Sequence, residues 1–274
     1  IDPSHGTLFR RPRSGSLPVY TKRLRLLLTT CFVAVEGFFM DTPPTIFPLW
    51  ELPMLPIAGR AEQFPVHRIF CIGRNYAEHV REMGNDPAGK PIFFTKPSSI
   101  LRHNGDQIPY PLATENFHHE VELVVALDKG GTKIPIEQAQ NHIYGYAVGV
   151  DQTRRDLQEV AKAKGQPWDA SKAFDDSAPC SELHEVAQIG HPSRGAIWLS
   201  VNGEMRQQGD LNQLIWNVPE IISALSQFFH LQAGDLIFTG TPSGVGPLEI
   251  GDQVEAVVEG ISVLRFEIVD VADA

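Results

Sequence analysis

The chain has 274 residues, of which 42% are hydrophobic and 20% are charged, fractions that exclude a disordered protein and allow one large domain or two small ones with a buried core. A formal net charge of −10 argues against nucleic-acid partners and anionic membranes, both of which need a basic face. The three scattered cysteines form no Cys-x-x-Cys pair, which argues against a disulfide framework and a thiolate zinc site and favours a reducing, cytoplasmic setting.

The N-terminal segment differs from the rest of the chain. Basic residues precede an uncharged apolar stretch at residues 26–35, which is far shorter than the roughly 20 residues that a membrane helix needs. The stretch has the character of a signal-peptide core, but no clean cleavage site follows it. We expect Met40 to be the natural start and residues 1–39 to be non-native or upstream sequence. A signal or anchor and a genuine N-terminal arm are the alternatives.

The remaining sequence predicts a Pro-rich extended lead-in over residues 40–65 and a folded domain over residues 66–274. Short apolar or alternating runs predict strands over residues 68–73, 91–95, 120–127, 143–150, 196–201, 235–239, 253–258 and 262–269. Helices are predicted over residues 76–83, about 153–164 and 219–229, with caps from Asn75 and Glu78 for the first and from Thr153 and Asp156 for the second. Asn202-Gly203 predicts a hairpin turn. Many short strands, few helices and no strict βαβ alternation predict a β-rich α+β fold.

A cluster of acidic residues starts the predicted strand 120–127. Glu120 and Glu122 are two residues apart, so they share one face of a strand and repel each other unless a cation or protons lie between them. Asp151, at the end of a later strand, offers a third oxygen ligand, and an all-carboxylate set selects Mg²⁺, Mn²⁺ or Ca²⁺. By spacing alone, a solvated strand face is the more frequent explanation. A zinc site through His118 or His119 lacks support, because no His-Glu-x-x-His motif is present.

A histidine and a glutamate lie three residues apart on the first predicted helix. His79 and Glu82 are therefore neighbours on the helix surface. A carboxylate beside an imidazole fixes its tautomer and raises its basicity, as a general base requires. An ordinary surface pair is the alternative.

Two further groups offer ligands for an anion. Cationic and polar side chains able to hold a substrate carboxylate are Arg74, Lys96, Arg154, Arg155, Gln158 and Lys172, although most such side chains are merely solvated. The Gly-rich loop 239–246 can present backbone N–H groups to an anion. This loop is neither a Walker motif nor a dinucleotide motif, and Ser243 does not lie in a Gly-x-Ser-x-Gly elbow.

Taken together, these segments resemble the fumarylacetoacetate hydrolase family. The motifs that carry the resemblance are residues 71–83 (CIGRNYAEHVREM), 94–97 (FTKP), 118–123 (HHEVEL), 145–151 (GYAVGVD), 153–158 (TRRDLQ) and 238–246 (FTGTPSGVG). They occur in the family's order over roughly residues 66–270. The stretches 81–86 and 207–211 look most like the members that hydrolyse fumarylpyruvate and other acylpyruvates.

The resemblance implies roles for specific residues. It implies divalent-metal ligands at Glu120, Glu122 and Asp151, and a water-activating dyad at His79 and Glu82. It further implies substrate or oxyanion contacts from Lys172, Gln158, Thr241, Gly240 and Arg74. The fold implied is a mixed β-sheet roll with short peripheral helices, assembled as a homodimer.

The resemblance also implies a reaction. We expect a metal-dependent hydrolase that cleaves a C–C bond in a dicarboxylic 2,4-dioxo acid, with Mg²⁺ or Mn²⁺ as the cofactor. Fumarylpyruvate, cleaved to fumarate and pyruvate in gentisate-type aromatic catabolism, is the expected substrate. An oxaloacetate-type β-keto acid decarboxylase or tautomerase on the same fold is the alternative. A catalytically silent binding module is disfavoured because both the acidic set and the dyad are intact.

Overall fold

The computed structural model describes residues 45–84 and 92–273. The expectation for residues 1–39 therefore lies outside the described residues. The chain divides into two units, Ile1–Leu49 and Trp50–Ala274, and the second holds all of the elements given below. None of the described helices combines the length and the apolar character that crossing a membrane requires.

The second unit is rich in short strands. The strands are β1 Met54–Pro56, β2 Gln63–Pro65, β3 Arg68–Gly73, β4 Ile92–Lys96, β5 Leu101–Arg102, β6 Gln107–Pro109, β7 Phe117–His119, β8 Val121–Leu127, β9 Ile143–Val150, β10 Thr153–Arg154, β11 Ala178–Pro179, β12 His184–Glu185, β13 Ala196–Val201, β14 Glu204–Asp210, β15 Asp235–Phe238, β16 Gly246–Pro247, β17 Gln253–Val258 and β18 Ser262–Val269. The α-helices are α1 Ala77–Glu82, α2 Arg155–Lys164, α3 Asp169–Lys172, α4 Val186–Ile189 and α5 Val218–Phe228. Short 3₁₀ helices span Ser98–Ile100, Ile136–His142, Leu211–Gln213 and Val271–Asp273.

Two mixed sheets form the body of the fold. The six-stranded sheet has the order β12-β9-β8-β15-β3-β4, in which β3 and β15 are parallel and the other pairs are antiparallel. The five-stranded sheet has the order β14-β13-β17-β18-β6, in which only the β18–β6 pair is parallel. Strands β8 and β9 pack against β13, β17 and β18 of the second sheet. The described residues thus form the predicted strand-rich α+β fold.

The six-stranded sheet is buried on both faces. Alternate residues of β8 divide between two cores: Leu123 and Val125 face the five-stranded sheet and α5, while Val124 and Ala126 face the other side. Double-sided burial explains why all of β8 is buried and why its sequence is nearly continuous in apolar residues. Glu122 interrupts that run, so its charge requires a partner or a ligand.

The predicted lead-in contributes to the second core. From residue 45 onward its sequence is described, and β1 and β2 pair within it as an antiparallel hairpin. Leu55 and Phe64 from these strands are buried against the outer face of the six-stranded sheet. The described part of the folded region therefore includes β1 and β2, which precede residue 66.

Most predicted elements are present within one or two residues of their expected bounds, but two predicted caps are wrong. Helix α1 begins after Tyr76 with no side-chain cap, because the Asn75 amide instead bonds the backbone of Trp216 and Thr239. Helix α2 likewise has no side-chain cap. Thr153 lies in β10, where its hydroxyl donates to the Asp151 carbonyl at 3.1 Å. Partners remote in sequence outcompete the cap at Asn75, whereas the Thr153 hydroxyl is engaged by a backbone carbonyl two residues earlier.

The backbone of Gly149 in β9 lies so close to neighbouring core side chains that only glycine, which has no Cβ atom, fits there without a shift. A Cβ atom at this position would lie 2.5 Å from Phe238 Cε1 and 2.6 Å from Val124 Cγ2. We expect Gly149→Ala to lower the free energy of unfolding by about 1–3 kcal/mol, because neighbouring core side chains must shift. Denaturant unfolding monitored by circular dichroism measures this change. An unchanged midpoint and slope would show that the core accommodates the methyl group.

Candidate active site

The pairing of β8 with β9 brings three carboxylates together. Glu120 directly precedes β8 and Asp151 directly follows β9, and the Asp151 N–H donates to the Glu120 carbonyl at 2.8 Å. Glu122 pairs with Gly149 in the same antiparallel ladder. Because side chains two residues apart share a face, all three carboxylates lie at one end of this strand pair. One oxygen from each lies within 4.8 Å of the others, and all three residues are buried.

Two cations neutralise part of this cluster. Lys172, on α3, donates to Glu120 Oε2 and Asp151 Oδ2, each at 2.7 Å. Arg155, at the start of α2, forms an ion pair with the other Glu120 oxygen. Burial opposes the charged form of Glu120, but the charges of Lys172 and Arg155 outweigh it and hold the pKa of Glu120 below its usual range.

Glu122 forms no ion pair with a cation among the described residues, although the charge of Lys172 acts on it from a distance. Its Oε2 accepts a hydrogen bond from the Gly240 N–H at 2.7 Å. Burial, followed by the charges of Asp151 and Glu120, raises the pKa of Glu122 well above its usual range. Glu122 is therefore the carboxylate of the cluster whose ionised form most needs an added positive charge.

The remaining Asp151 oxygen forms an ion pair but accepts no hydrogen bond among the described residues. Lys96 Nζ lies 2.9 Å from Asp151 Oδ1, but its hydrogen bonds go to the carbonyls of Gln152, Lys172 and Ser177. Asp151 Oδ1 accepts no hydrogen bond from the part of the chain that the structure describes. A buried carboxylate oxygen that is paired by charge but accepts no hydrogen bond, beside two further carboxylates, fits the oxygen donor set of a hard divalent cation.

The predicted dyad forms at the edge of the same cleft. His79 Nδ1 lies 3.0 Å from Glu82 Oε2, and Glu82 also accepts from the Gly244 N–H at 3.1 Å. The Glu82 side chain thus connects the end of α1 to the Gly-rich loop. As an acceptor it places the imidazole proton on Nδ1, which leaves Nε2 with the lone pair that a general base uses.

One cleft gathers most of the predicted site residues. Those lining it are Arg74, His79, Glu120, Glu122, Asp151, Gln158, Lys172 and Thr241. Glu82 lies behind His79, and Gly240 contributes its N–H to Glu122 rather than to the cleft wall. Gly240 adopts a φ of +102°, and a Cβ there would lie 2.7 Å from Asn75 Cβ, so the close contact between the two loops requires glycine.

Gln207 is a site residue that the sequence analysis did not assign. Its Oε1 accepts from the Val121 N–H at 3.0 Å, and its Nε2 donates to the Pro242 carbonyl at 2.9 Å. These two partners fix which amide atom is the oxygen and which is the nitrogen. The same Nε2 donates to Thr241 Oγ1 at 2.7 Å. Because Thr241 accepts this bond, its own hydroxyl proton is available to an acceptor in the cleft.

The histidines beside Glu120 are engaged elsewhere. His119 Nδ1 is 2.8 Å from Gln207 Oε1, and His118 Nε2 is 2.8 Å from Asn116 Oδ1. Within the described residues, the clustered ligand atoms come from carboxylates alone, which disfavours the zinc alternative. Among the candidate cations, Arg155 and Lys96 hold the carboxylates, whereas Arg154 stacks on Phe174 at 4.3 Å, away from the cleft.

Residues 68–269 match the family model described as fumarylacetoacetate (FAA) hydrolase C-terminal. The chain belongs to the fumarylacetoacetate hydrolase family. This assignment confirms the resemblance found in the sequence motifs, and the strand-rich fold agrees with that of solved family structures.

Two kinds of family member are similar to this chain. The solved structure of fumarylpyruvate hydrolase from Pseudomonas aeruginosa in complex with Mn²⁺ and pyruvate is 47% identical, has a TM-score of 0.82, and is matched over 83% of this chain and 100% of that chain. The mitochondrial oxaloacetate tautomerase FAHD1 of Mus musculus is 44% identical over 200 residues, which is 73% of this chain and 90% of the relative. The corresponding protein of Arabidopsis thaliana is 41% identical over 201 residues, 73% of this chain and 90% of the relative. The Mn²⁺ complex and the buried acidic cluster together support a divalent cation in this chain as well.

Proposed function

We propose that the protein is a divalent-metal-dependent acylpyruvate hydrolase that cleaves fumarylpyruvate to fumarate and pyruvate. The observation that carries this proposal is the His79–Glu82 pair, held by Gly244 at the edge of the cleft that contains the three carboxylates. The similarity to a fumarylpyruvate hydrolase along the whole of that chain supports it. The working ion is Mg²⁺ or Mn²⁺, and gentisate-type aromatic catabolism is the process in which this reaction belongs.

The metal ligands in this proposal are Glu120, Glu122 and Asp151. A divalent cation held by them supplies Lewis acidity toward the oxygens of the 2-oxo acid end of the substrate. Lys172 contacts two of these carboxylates and so provides positive charge next to the same end of the substrate.

The residues of the chain carry the proton transfers. His79 Nε2 takes a proton from a water molecule, and the oxygen of that water bonds to the carbonyl carbon of the acyl group. This is the ketone carbon farther from the carboxylate of the 2-oxo acid end. Thr241, whose hydroxyl proton is available in the cleft, and Lys172 stabilise the negative charge that develops on the carbonyl oxygen. The bond between that carbon and the adjacent methylene carbon then breaks. Fumarate leaves with the oxygen from water, and the three-carbon fragment takes a proton at its methylene carbon to become pyruvate.

The similarity to oxaloacetate tautomerases supports a second candidate function. Conversion between the enol and keto forms of oxaloacetate needs the same binding of a 2-oxo acid and a proton shuttle, but no attacking water. Decarboxylation of oxaloacetate uses the same elements and releases CO₂. The three reactions differ in their products, so product analysis separates them.

The experiment incubates the protein with fumarylpyruvate and Mg²⁺ or Mn²⁺, with and without a chelator, and measures pyruvate release. We expect pyruvate and fumarate in equal amounts, with chelation removing nearly all activity. A parallel assay follows enol absorbance and CO₂ release from oxaloacetate. Rapid loss of the enol without pyruvate release from fumarylpyruvate would replace the first function with the second. Full hydrolysis in metal-free protein would contradict the proposed metal dependence.

A further inference from the structure

Two cations in the cleft make no direct contact with a carboxylate among the described residues. Arg74 and Lys162 both line it, and neither forms a hydrogen bond or ion pair within the described residues. The other cations at the site differ in this respect, because Arg155, Lys172 and Lys96 are held by the carboxylates. Since partly buried cations are stabilised by a counter-charge, Arg74 and Lys162 are suited to bind an anionic group of a ligand.

Helix α2 places Lys162 at a defined distance from the acidic cluster. Arg155, Gln158 and Lys162 are spaced by three and four residues, so they lie on one face of the helix, and all three line the cleft. Arg155 contacts Glu120, whereas Lys162 lies nearly two helical turns further along. At 1.5 Å per residue the separation along the helix axis is about 10 Å.

The charges of these cations act on one another. The pKa of Lys162 is lowered, first by burial and then by the positive charges of Arg74 and Arg155. Glu159 and Glu120 oppose this effect but contact neither cation directly. Because Arg74 and Lys162 line the same cleft, we define these two residues as a positive patch. An anion bound there would relieve their mutual repulsion.

An apolar wall lies in the same cleft. Phe94 and Trp168 both line it, and their ring centroids are 5.7 Å apart. A flat, unsaturated carbon chain packs well against aromatic rings. The cleft thus combines an acidic cluster that suits a divalent cation, an aromatic wall and a positive patch.

We propose that Lys162, assisted by Arg74, binds the distal carboxylate of the acyl group and makes the enzyme selective for dicarboxylic acylpyruvates. This inference rests on the proposed function. Fumarylpyruvate carries a carboxylate at each end of a seven-carbon chain. Its terminal carboxyl carbons are about 8 Å apart, given carbon–carbon bonds of about 1.5 Å. This length suits a molecule whose one end lies at the acidic cluster and whose other end reaches Lys162. Acetylpyruvate has a neutral acyl group and leaves the patch without a partner.

The test compares these two substrates in Lys162→Met and in the wild type. For fumarylpyruvate we expect KM to rise about 10- to 100-fold with little change in kcat, the size expected for losing a hydrogen bond to a charged group. For acetylpyruvate we expect kcat/KM to stay within about 2-fold, because its acyl group does not reach the patch. Lys162→Arg keeps the positive charge and is expected to restore most of the affinity for fumarylpyruvate.

The matched control is Lys164→Met, which removes a lysine charge from the same helix at an exposed position outside the cleft. It is expected to leave both substrates unaffected. Equal losses for the two substrates in Lys162→Met, or no loss for either, would overturn the selectivity proposal while leaving the hydrolase function intact. If the wild-type enzyme hydrolyses neither substrate, the proposed function itself fails and the selectivity proposal fails with it.

Discussion

Replacing His79 with alanine is expected to slow acylpyruvate hydrolysis by about 10²- to 10⁴-fold, the usual contribution of a positioned general base. His79 is the imidazole at this cleft whose Nδ1 is engaged by a carboxylate, which leaves Nε2 free to accept a proton. Steady-state kinetics with fumarylpyruvate at saturating Mn²⁺ measure the loss. The loss of rate should appear in kcat, because the groups that bind the 2-oxo acid end of the substrate are unchanged.

Two further measurements separate a chemical role for His79 from a structural one. Mn²⁺ binding by calorimetry should be nearly unaltered in His79→Ala, since His79 is not among the clustered carboxylates. Glu82→Gln should give a smaller loss, because the amide keeps the shape of the side chain but orients the imidazole less strongly. His230→Ala, at an exposed histidine, is the control and should be fully active. A fully active His79→Ala enzyme would show that water is activated by another group.

The alternation of side-chain direction along a strand predicts part of the acidic cluster. Two residues of separation correctly place Glu120 and Glu122 on one face, and the predicted bounds of β8 and β9 are nearly those observed. The contact with Asp151 depends on the register of these strands, in which Val121 pairs with Val150. The sequence pattern does not set that register, so the residues alone made Asp151 a candidate third ligand and the family resemblance assigned it that role.

Gln207 illustrates what local patterns omit. It lies in β14 of the five-stranded sheet, yet its amide bonds Val121 in the six-stranded sheet and Thr241 in the Gly-rich loop. A glutamine in a half-exposed, alternating strand carries no local signal of such a contact. Competing hydrogen bonds also explain the wrong caps, because the Asn75 side chain bonds backbone groups remote in sequence and the Thr153 hydroxyl bonds the nearby Asp151 carbonyl.

Conversion of Glu122 to glutamine is expected to have opposite effects on metal binding and on the stability of the metal-free protein. The amide has nearly the same shape but removes one negative charge from the proposed ligand set. We expect affinity for Mn²⁺ to fall by at least about 10²-fold, since even the loss of a residue that supports a metal ligand costs 10–100-fold. Calorimetric titration measures this affinity, and hydrolysis at fixed Mn²⁺ should decline with it.

The stability effect follows from the raised pKa of Glu122. Burial and the charges of Asp151 and Glu120 raise this pKa in the folded state, so any stabilisation linked to the group exists below its unfolded pKa and is lost as pH rises through the folded value. At neutral pH the carboxylate therefore destabilises the metal-free fold, and Glu122→Gln should raise its Tm. Added Mn²⁺ should raise the Tm of the wild type by mass action and leave the variant nearly unchanged.

Glu137→Gln, which removes an exposed carboxylate outside the cleft, is the control and should show neither effect. A Glu122→Gln protein that keeps the wild-type response to Mn²⁺ would remove Glu122 from the ligand set. A lower Tm without metal would instead indicate that the charge of Glu122 stabilises the fold, for example by strengthening the hydrogen bond that it accepts from Gly240.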